Sequence, residues 1–261
     1  MKFFATPYHY NLLKDPERLS AFYEALSKKK WGVVYDLGTG SGILSYFAAP
    51  HSHSVFALEK DYKSWQCARR NLKKWSNVQV INEDINDFDF HLKADLFICE
   101  MLDTALIDEE QIPVLNNALK YLKSTGKVIP EGVINGAEPV FMSTPRISYQ
   151  DVDQINFPEY HILGDLVIFN HIIFKEKTSK KVDVEIEFRT KSSGKMNAIK
   201  LTTFTLLDSK LICGPTPMLN PPLFIPTEEI TLNKDEKVKV NLSYIMGGGL
   251  DNIRTKIKNI S

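Results

Sequence analysis

The residues Val33-Val34-Tyr35-Asp36-Leu37-Gly38-Thr39-Gly40-Ser41-Gly42 restrict the fold more than any other stretch of the chain. An apolar run turns into a glycine-punctuated segment, and Ile43, Leu44, Phe47 and Ala48 then follow at helical spacing. Strand, Gly-rich turn and helix, in that order, open a nucleotide-binding α/β unit. Glycine lets such a turn close tightly and approach a ligand without a Cβ in the way. Asp36, at the end of the strand, is expected to face the amino end of the ligand rather than a pyrophosphate. A second strand, Val55-Phe56-Ala57-Leu58, ends in Glu59, at the spacing where an acidic side chain takes ribose hydroxyls.

The pattern then repeats. Residues 61–75 read as a helix with Trp65, Ala68, Leu72 and Trp75 on its apolar side, and Val78–Ile81 and Ala94–Cys99 read as strands. A helix from Gln111 to Leu122 and a turn at Ser124-Thr125-Gly126 follow. Strands alternating with helices imply a parallel, doubly wound sheet with its ligand at the carboxyl ends of the strands. Asp36, Glu59, Asp84 and Glu100 each stand at such an end, and four acids on one edge suggest a cationic, polyhydroxylated ligand. Ahead of the first strand, Asp15-Pro16 reads as an N-cap and first helical residue, with Leu19, Phe22, Tyr23 and Leu26 on an apolar face.

From Ile129-Pro130-Glu131-Gly132 onwards, β alternation dominates, in Val167–Phe174, Val182–Phe188, Ile199–Leu201 and Val238–Tyr244. This predicts an α/β doubly wound domain over 1–130 and an antiparallel β-barrel or sandwich domain over 131–261. Gly247-Gly248-Gly249 is expected to turn between the last two strands, and Asn220-Pro221-Pro222-Leu223 to be an edge-strand turn. Cys67, Cys99 and Cys213 have no CxxC spacing, which fits free thiols in a reducing, cytoplasmic compartment and supplies no zinc site. His51 and His53 have no third ligand, so no metal is expected. No stretch approaches the length of a membrane span. The 32 basic and 32 acidic residues cancel, which argues mildly against an electrostatic grip on a polyanion. Lys175, Lys177, Lys180, Lys181, Arg189, Lys191 and Lys195 form a local basic lean in the β region.

The motif Asp36-Leu37-Gly38-Thr39-Gly40-Ser41-Gly42 with Glu59 resembles that of the class I S-adenosylmethionine (SAM) dependent methyltransferases. Three further segments resemble the protein arginine methyltransferases and their small archaeal-type relatives, some described as predicted RNA methylases. His9 with Leu12-Leu13-Lys14-Asp15 and Arg18 is similar to that family's helix over the cofactor. Glu100 and Glu109 have the spacing of its two-glutamate loop. Lys127-Val128-Ile129-Pro130 resembles its passage from nucleotide domain to β-barrel.

The resemblance implies a Rossmann-like fold, SAM as cofactor and S-adenosylhomocysteine as product. It assigns Asp36, Gly38 and Gly40 to the methionine amino group, Arg18 to its carboxylate, and His9 to the covering helix. Glu59 takes the ribose hydroxyls, Asp84 the adenine amino group, and Ile85 the ring face. Glu100 and Glu109 are the implied catalytic pair. They would hold a guanidinium by two-point hydrogen bonding and localise its lone pair on the attacking nitrogen. Trp31, Trp65 and Trp75 all precede the β region, so the family's threonine-histidine-tryptophan loop is absent, and Met101–Asp108 departs from its aromatic, glycine-bearing filling. The expectation is an N-methyltransferase acting on a protein side chain. An RNA base methyltransferase and a SAM-binding protein without transfer activity are the alternatives. A homodimer is allowed, with residues 144–164 as the candidate arm.

Overall fold

The structure is a computed structural model and describes residues 3–150 and 157–260. Helices α1 (Pro7–Leu12) and α2 (Pro16–Ser27) come first. Proline opens each of them, at a position where its missing N–H has no intrahelical partner to lose. The Asp15 carboxylate caps α2 by accepting from the Arg18 amide at 3.0 Å. The same carboxylate accepts from the Thr216 hydroxyl and from the Met218 amide at 3.2 Å. One side chain thus starts a helix and ties it to a loop of the β region.

The parallel half follows as β1 (Trp31–Leu37), α3 (Ile43–Ala48), β2 (Ser52–Leu58), α4 (Tyr62–Leu72), β3 (Val78–Ile81), β4 (Ala94–Cys99), α5 (Gln111–Ala118) and β5 (Leu122–Ile129). The strands lie in the order β3-β2-β1-β4-β5, all parallel. The chain runs outwards from β1 to β3 and then crosses to β4 on the other side of β1. The carboxyl ends of β1 and β4 therefore flank the crevice where the order reverses, which is where open α/β sheets hold ligands.

The crossover from β3 to β4 contains no helix; its Phe88 and Phe90 pack with Tyr35, Phe97 and Tyr121, with Phe90 and Tyr121 stacked at 4.6 Å. Two local expectations for the segment that follows α5 are corrected. Ser124-Thr125-Gly126 is not a free turn but part of β5. Ala94 pairs with Leu122 and Leu96 with Lys127, so the intervening residues bulge out of register. The helix expected to reach Leu122 ends at Ala118, where a tighter turn, Leu119–Tyr121, leads into the strand.

The antiparallel half comprises β6 (Gly132–Met142), β7 (Ser148–Tyr149), β8 (Tyr160–Ile162), β9 (Val167–Ile173), β10 (Lys181–Arg189), β11 (Gly194–Asp208), β12 (Leu211–Cys213), β13 (Leu223–Leu232), β14 (Lys237–Ile245) and β15 (Arg254–Ile260). One sheet runs β7-β13-β11-β6-β8, with β12 on β11 and β9 on β6, and a second runs β10-β14-β15. Asn220-Pro221-Pro222 leads into β13 and the triple glycine separates β14 from β15. Within the candidate dimer arm, β7 pairs with β13 and β8 with β6, while residues 151–156 lie outside the described residues.

The parallel sheet ends at Ile129 and the antiparallel one begins at Gly132, yet the apolar core does not divide there. A single cluster runs from Tyr35, Leu37 and Phe97 through Val133 and Leu201 to Val240 and Tyr244. Asp15→Ala should lower the unfolding free energy by about 2–4 kcal/mol, because it removes a helix cap and leaves Thr216 and the Met218 amide without their acceptor. Urea denaturation at neutral pH measures it; a loss under about 1 kcal/mol would mean that the cap alone matters.

Candidate active site

The turn after β1 folds back on β2, with the Gly38 and Thr39 amides donating to the Leu58 carbonyl at 3.1 and 2.8 Å. Gly38 and Gly40 hold φ of +80° and +57°, a region that side chains disfavour. They also leave room for close neighbours. A Cβ on Gly40 would lie 2.5 Å from His9 Nε2, and one on Gly38 would lie 3.3 Å from Met101 Sδ. The turn forms the floor of a cleft of about 330 Å³ at the carboxyl ends of β1, β2 and β4.

Glu59 lines this cleft. Its Oε2 accepts from the Gly40 amide and its Oε1 from the Asp61 amide, both at 2.8 Å. Each carboxylate oxygen keeps a second lone pair for a hydroxyl. Asp84 lines the opposite stretch beside Ile85 and accepts from the Asn86 amide at 2.9 Å. Asp36 does not reach the cleft. Its carboxylate lies beneath the turn, 1% exposed, and accepts from the Thr39 and Ser45 hydroxyls at 2.6 Å each. Burial raises its pKa to about 6, against the two hydroxyls that favour the anion. Asp36 braces the turn against α3, and of the four strand-end acids the other three line the cleft.

The N-terminal helices supply the other wall. His9 on α1 has Nδ1 2.8 Å from the Thr6 hydroxyl, and burial followed by the Arg18 charge lowers its pKa, so the ring is neutral at pH 7. Arg18 on α2 is buried. Its Nη2 pairs with the Glu100 carboxylate, its Nη1 donates to the Leu12 carbonyl at 3.4 Å, and its Nε is buried with no partner. Burial raises the pKa of Glu100, and the adjacent guanidinium opposes that rise.

Glu109 reaches the same cleft as Glu100. Burial raises its pKa to about 7, and the charges of Asp103, Glu100, Asp108 and Glu110 add to the effect. The loop between the two glutamates is an unusual piece of backbone. Ala105 and Leu106 sit at φ of +61° and +60° without being glycine. Asp103, which sequence reasoning passed over, holds it from within by accepting from the amides of Ile107, Asp108 and Glu109 at 3.1, 3.0 and 3.2 Å and from the Tyr149 hydroxyl at 2.9 Å. Gln111, also passed over, closes the base of the loop by donating to the Cys99 carbonyl and accepting from the Met101 amide. The β region holds it from without. The Ala105 amide donates to Thr203 Oγ1 at 2.8 Å, and the Tyr244 hydroxyl donates to the Ala105 carbonyl at 3.0 Å. Amides of Gly247, Gly248 and Gly249 cap the Leu106 and Ile107 carbonyls. An aspartate four residues after the end of β4 was the only trace of this in the sequence.

A methyltransferase domain matches residues 34–126, the stretch that carries the turn, Glu59, Asp84 and both cleft glutamates. That stretch is a SAM-dependent methyltransferase domain. The chain shares one family with an uncharacterised protein of Methanothermobacter thermautotrophicus, 47% identical over 98% of this chain and all of that one. A Methanocaldococcus jannaschii protein is 38% identical over 96% of each chain. A probable histone-arginine methyltransferase of Arabidopsis thaliana is 31% identical over 129 residues, 46% of this chain and 24% of its own length. In fold, the methyltransferase is similar to a solved complex titled as the Trypanosoma brucei PRMT1 enzyme-prozyme heterotetramer with AdoHcy. The TM-score is 0.77 at 15% identity, covering 90% of this chain and 87% of the other. Among the described residues, no helix is long and apolar enough to cross a membrane and no cluster of side chains suits a metal ion.

The cleft fits the class's cofactor on its own geometry. It has a glycine floor that a Cβ would fill, a carboxylate with free lone pairs at the end of β2, and a buried arginine with an unused donor. Glu59→Ala should weaken SAM binding by about 1–3 kcal/mol, by removing a charged acceptor and freeing the Gly40 amide; calorimetry with SAM and S-adenosylhomocysteine tests it. Asp103→Asn removes a neighbouring negative charge from Glu109, so Glu109 should ionise at lower pH than about 7. Carboxyl-carbon NMR titration of Glu109 measures the shift, and an unmoved midpoint would remove Asp103 from its causes.

Proposed function

We propose that the protein is an N-methyltransferase whose acceptor is a cationic protein side chain, a guanidinium in the first place. The observation that carries this reading is that Glu100 and Glu109 meet in one cleft beside the glycine turn, with Glu109 held near pKa 7 by burial and like charges. A carboxylate pushed up by those causes gains most from an entering cation, which lowers the pKa again and releases a proton. Two carboxylates present a planar guanidinium with charge-assisted acceptors on two sides and leave one nitrogen pointing inward.

Bound SAM would supply an electrophilic methyl group on a sulfonium, to be taken by the acceptor nitrogen with S-adenosylhomocysteine as the leaving group. The chain's part is positioning and proton management. Glu59 offers acceptors for the ribose hydroxyls, Asp84 faces the adenine edge beside Ile85, and the Gly38 and Gly40 turn lets the backbone come close. Arg18 would offer its free Nε to the carboxylate end while its Nη2 holds the Glu100 carboxylate in place. Glu109, ionised above pH 7 and protonated below it, is the group placed to take the proton that the guanidinium gives up.

The RNA-base alternative drew on the basic lean of residues 175–200. In the fold several of those cations are paired. Arg189 pairs with Asp235, Lys191 with Asp165 and Lys195 with Glu229, across neighbouring strands and loops. Such exposed pairs contribute little stability, but they cancel the field that would attract a polyanion.

Transfer from labelled SAM to an arginine-rich peptide tests the reading. Its kcat/KM should rise tenfold per pH unit below about 7 and level off above it, because only ionised Glu109 completes the clamp. Glu109→Gln should lower turnover at least tenfold at pH 8 with SAM affinity nearly unchanged. Wild-type turnover in that variant would sink the clamp, and label found only in RNA would sink the protein acceptor.

A further inference from the structure

The outer face of α4 carries a run of cations that no ion pair takes up among the described residues. Residues 62–82 hold Lys63, Arg69, Arg70, Lys73 and Lys74 and no acid. None of the five forms an ion pair among the described residues, in contrast to the paired cations of the β region. Arg69, Arg70 and Lys73 line a groove between α4 and the free edge of β3, along with Trp65, Trp75 and Gln79.

The aromatic side chains of this face are not equivalent. Trp65 is covered, with Tyr62 stacked on it at 5.3 Å and the Arg69 guanidinium 5.4 Å from its ring. Trp75 has Lys74 at 4.7 Å. Tyr62 is open, 58% exposed, and presents the unstacked side of its ring to solvent. It stands at the first turn of α4, two residues before Ser64, which lines the cleft. The face thus offers a row of guanidinium and ammonium groups along one helix, ending in an exposed aromatic plane beside the active-site mouth.

We infer that this face binds a single-stranded nucleic acid, with the α4 cations on successive phosphates and Tyr62 stacked on a base. Charge complementarity selects a polyanion, and the open tyrosine ring selects one that carries bases over an acidic peptide. A single strand fits better than a duplex, because stacking on Tyr62 needs an unpaired base face. Whether the methyl group goes to protein or RNA does not enter the inference, which concerns where the enzyme is held.

Fluorescence anisotropy with a labelled short oligouridylate tests it, using the intact protein without SAM, and oligodeoxythymidylate as the arm that separates RNA from DNA. Binding at about 50 mM salt should weaken on the order of tenfold to fiftyfold by about 200 mM, as release of counterions from three or four phosphates requires. Arg69→Glu with Arg70→Glu should lower affinity at least tenfold, while Lys191→Glu with Lys195→Glu on the β region leaves it unchanged. Tyr62→Ala should weaken oligouridylate several-fold and polyglutamate not at all. S-adenosylhomocysteine affinity serves as the folding control for each variant, since none of these residues lies in the cofactor cleft. No binding at about 50 mM salt, equal loss in the β-region control, or polyglutamate bound as well as oligouridylate with Tyr62 silent would each overturn the proposal; the last would make the face a dock for an acidic protein.

Discussion

Everything chemical in this chain depends on the loop from Glu100 to Gln111 keeping a backbone it would not adopt alone. Ala105 and Leu106 at positive φ cost about 1–3 kcal/mol each, a strain that persists only where the surroundings over-determine it. Here they do so from two sides. Asp103 and Gln111 bind the loop to itself, and Thr203, Tyr244 and Gly247 to Gly249 bind it to the antiparallel sheets. If either set were removed, Glu109 would lose the support that keeps it facing Glu100's cleft. The antiparallel half is therefore more than a platform for substrate. It completes the site, which agrees with an apolar core that runs unbroken across the boundary between the sheets.

The cleft is also an electrostatic arrangement in which one pair is settled and one group is not. Arg18 and Glu100 are buried together, and a buried pair of that kind holds geometry more than it adds stability, since the desolvation of both charges offsets their attraction. Glu109 is different. Burial and the acids around it penalise its charge. Protonation relieves that penalty, and so would a cation in the cleft, which is the physical support for the cationic acceptor proposed above.

The parts of this architecture that follow a local rule were legible in the sequence. Glycines at positive φ between a strand and a helix, an Asp-Pro helix start and acids at strand ends are local patterns, and Gly38, Gly40, Glu59, Asp84, Glu100 and Glu109 stand around one cleft accordingly. The failures share a cause. Asp36 looked like a ligand-facing acid because it ends a strand, but the hydroxyls of Thr39 and Ser45, contributed by the very turn and helix it precedes, draw its carboxylate inward. The bulge in β5 is set by what pairs with it, the strand that begins at Ala94. Asp103 carries no sign of its importance because its donors are backbone amides and a tyrosine 46 residues away. Tertiary hydrogen bonds of that kind leave no periodicity to read.

Net charge was the weakest guide, for a reason that the fold makes explicit. A sum of zero counts charges that never meet, whereas at ordinary salt a surface charge is felt over only about 10 Å. Within that distance the molecule is anything but neutral. Acids gather at the strand ends and along the Glu100–Glu110 loop. The pairs β10–β14 and β11–β13 carry both signs in cross-strand ion pairs, and α4 carries one sign alone. Charges segregated like this cost self-repulsion in the folded state, which local pairing would remove, as it does in the β region. That Glu109 in the cleft and the cations of α4 form no ion pair among the described residues, while the same chain pairs others readily, is the physical ground for treating both as places made to meet something of opposite sign.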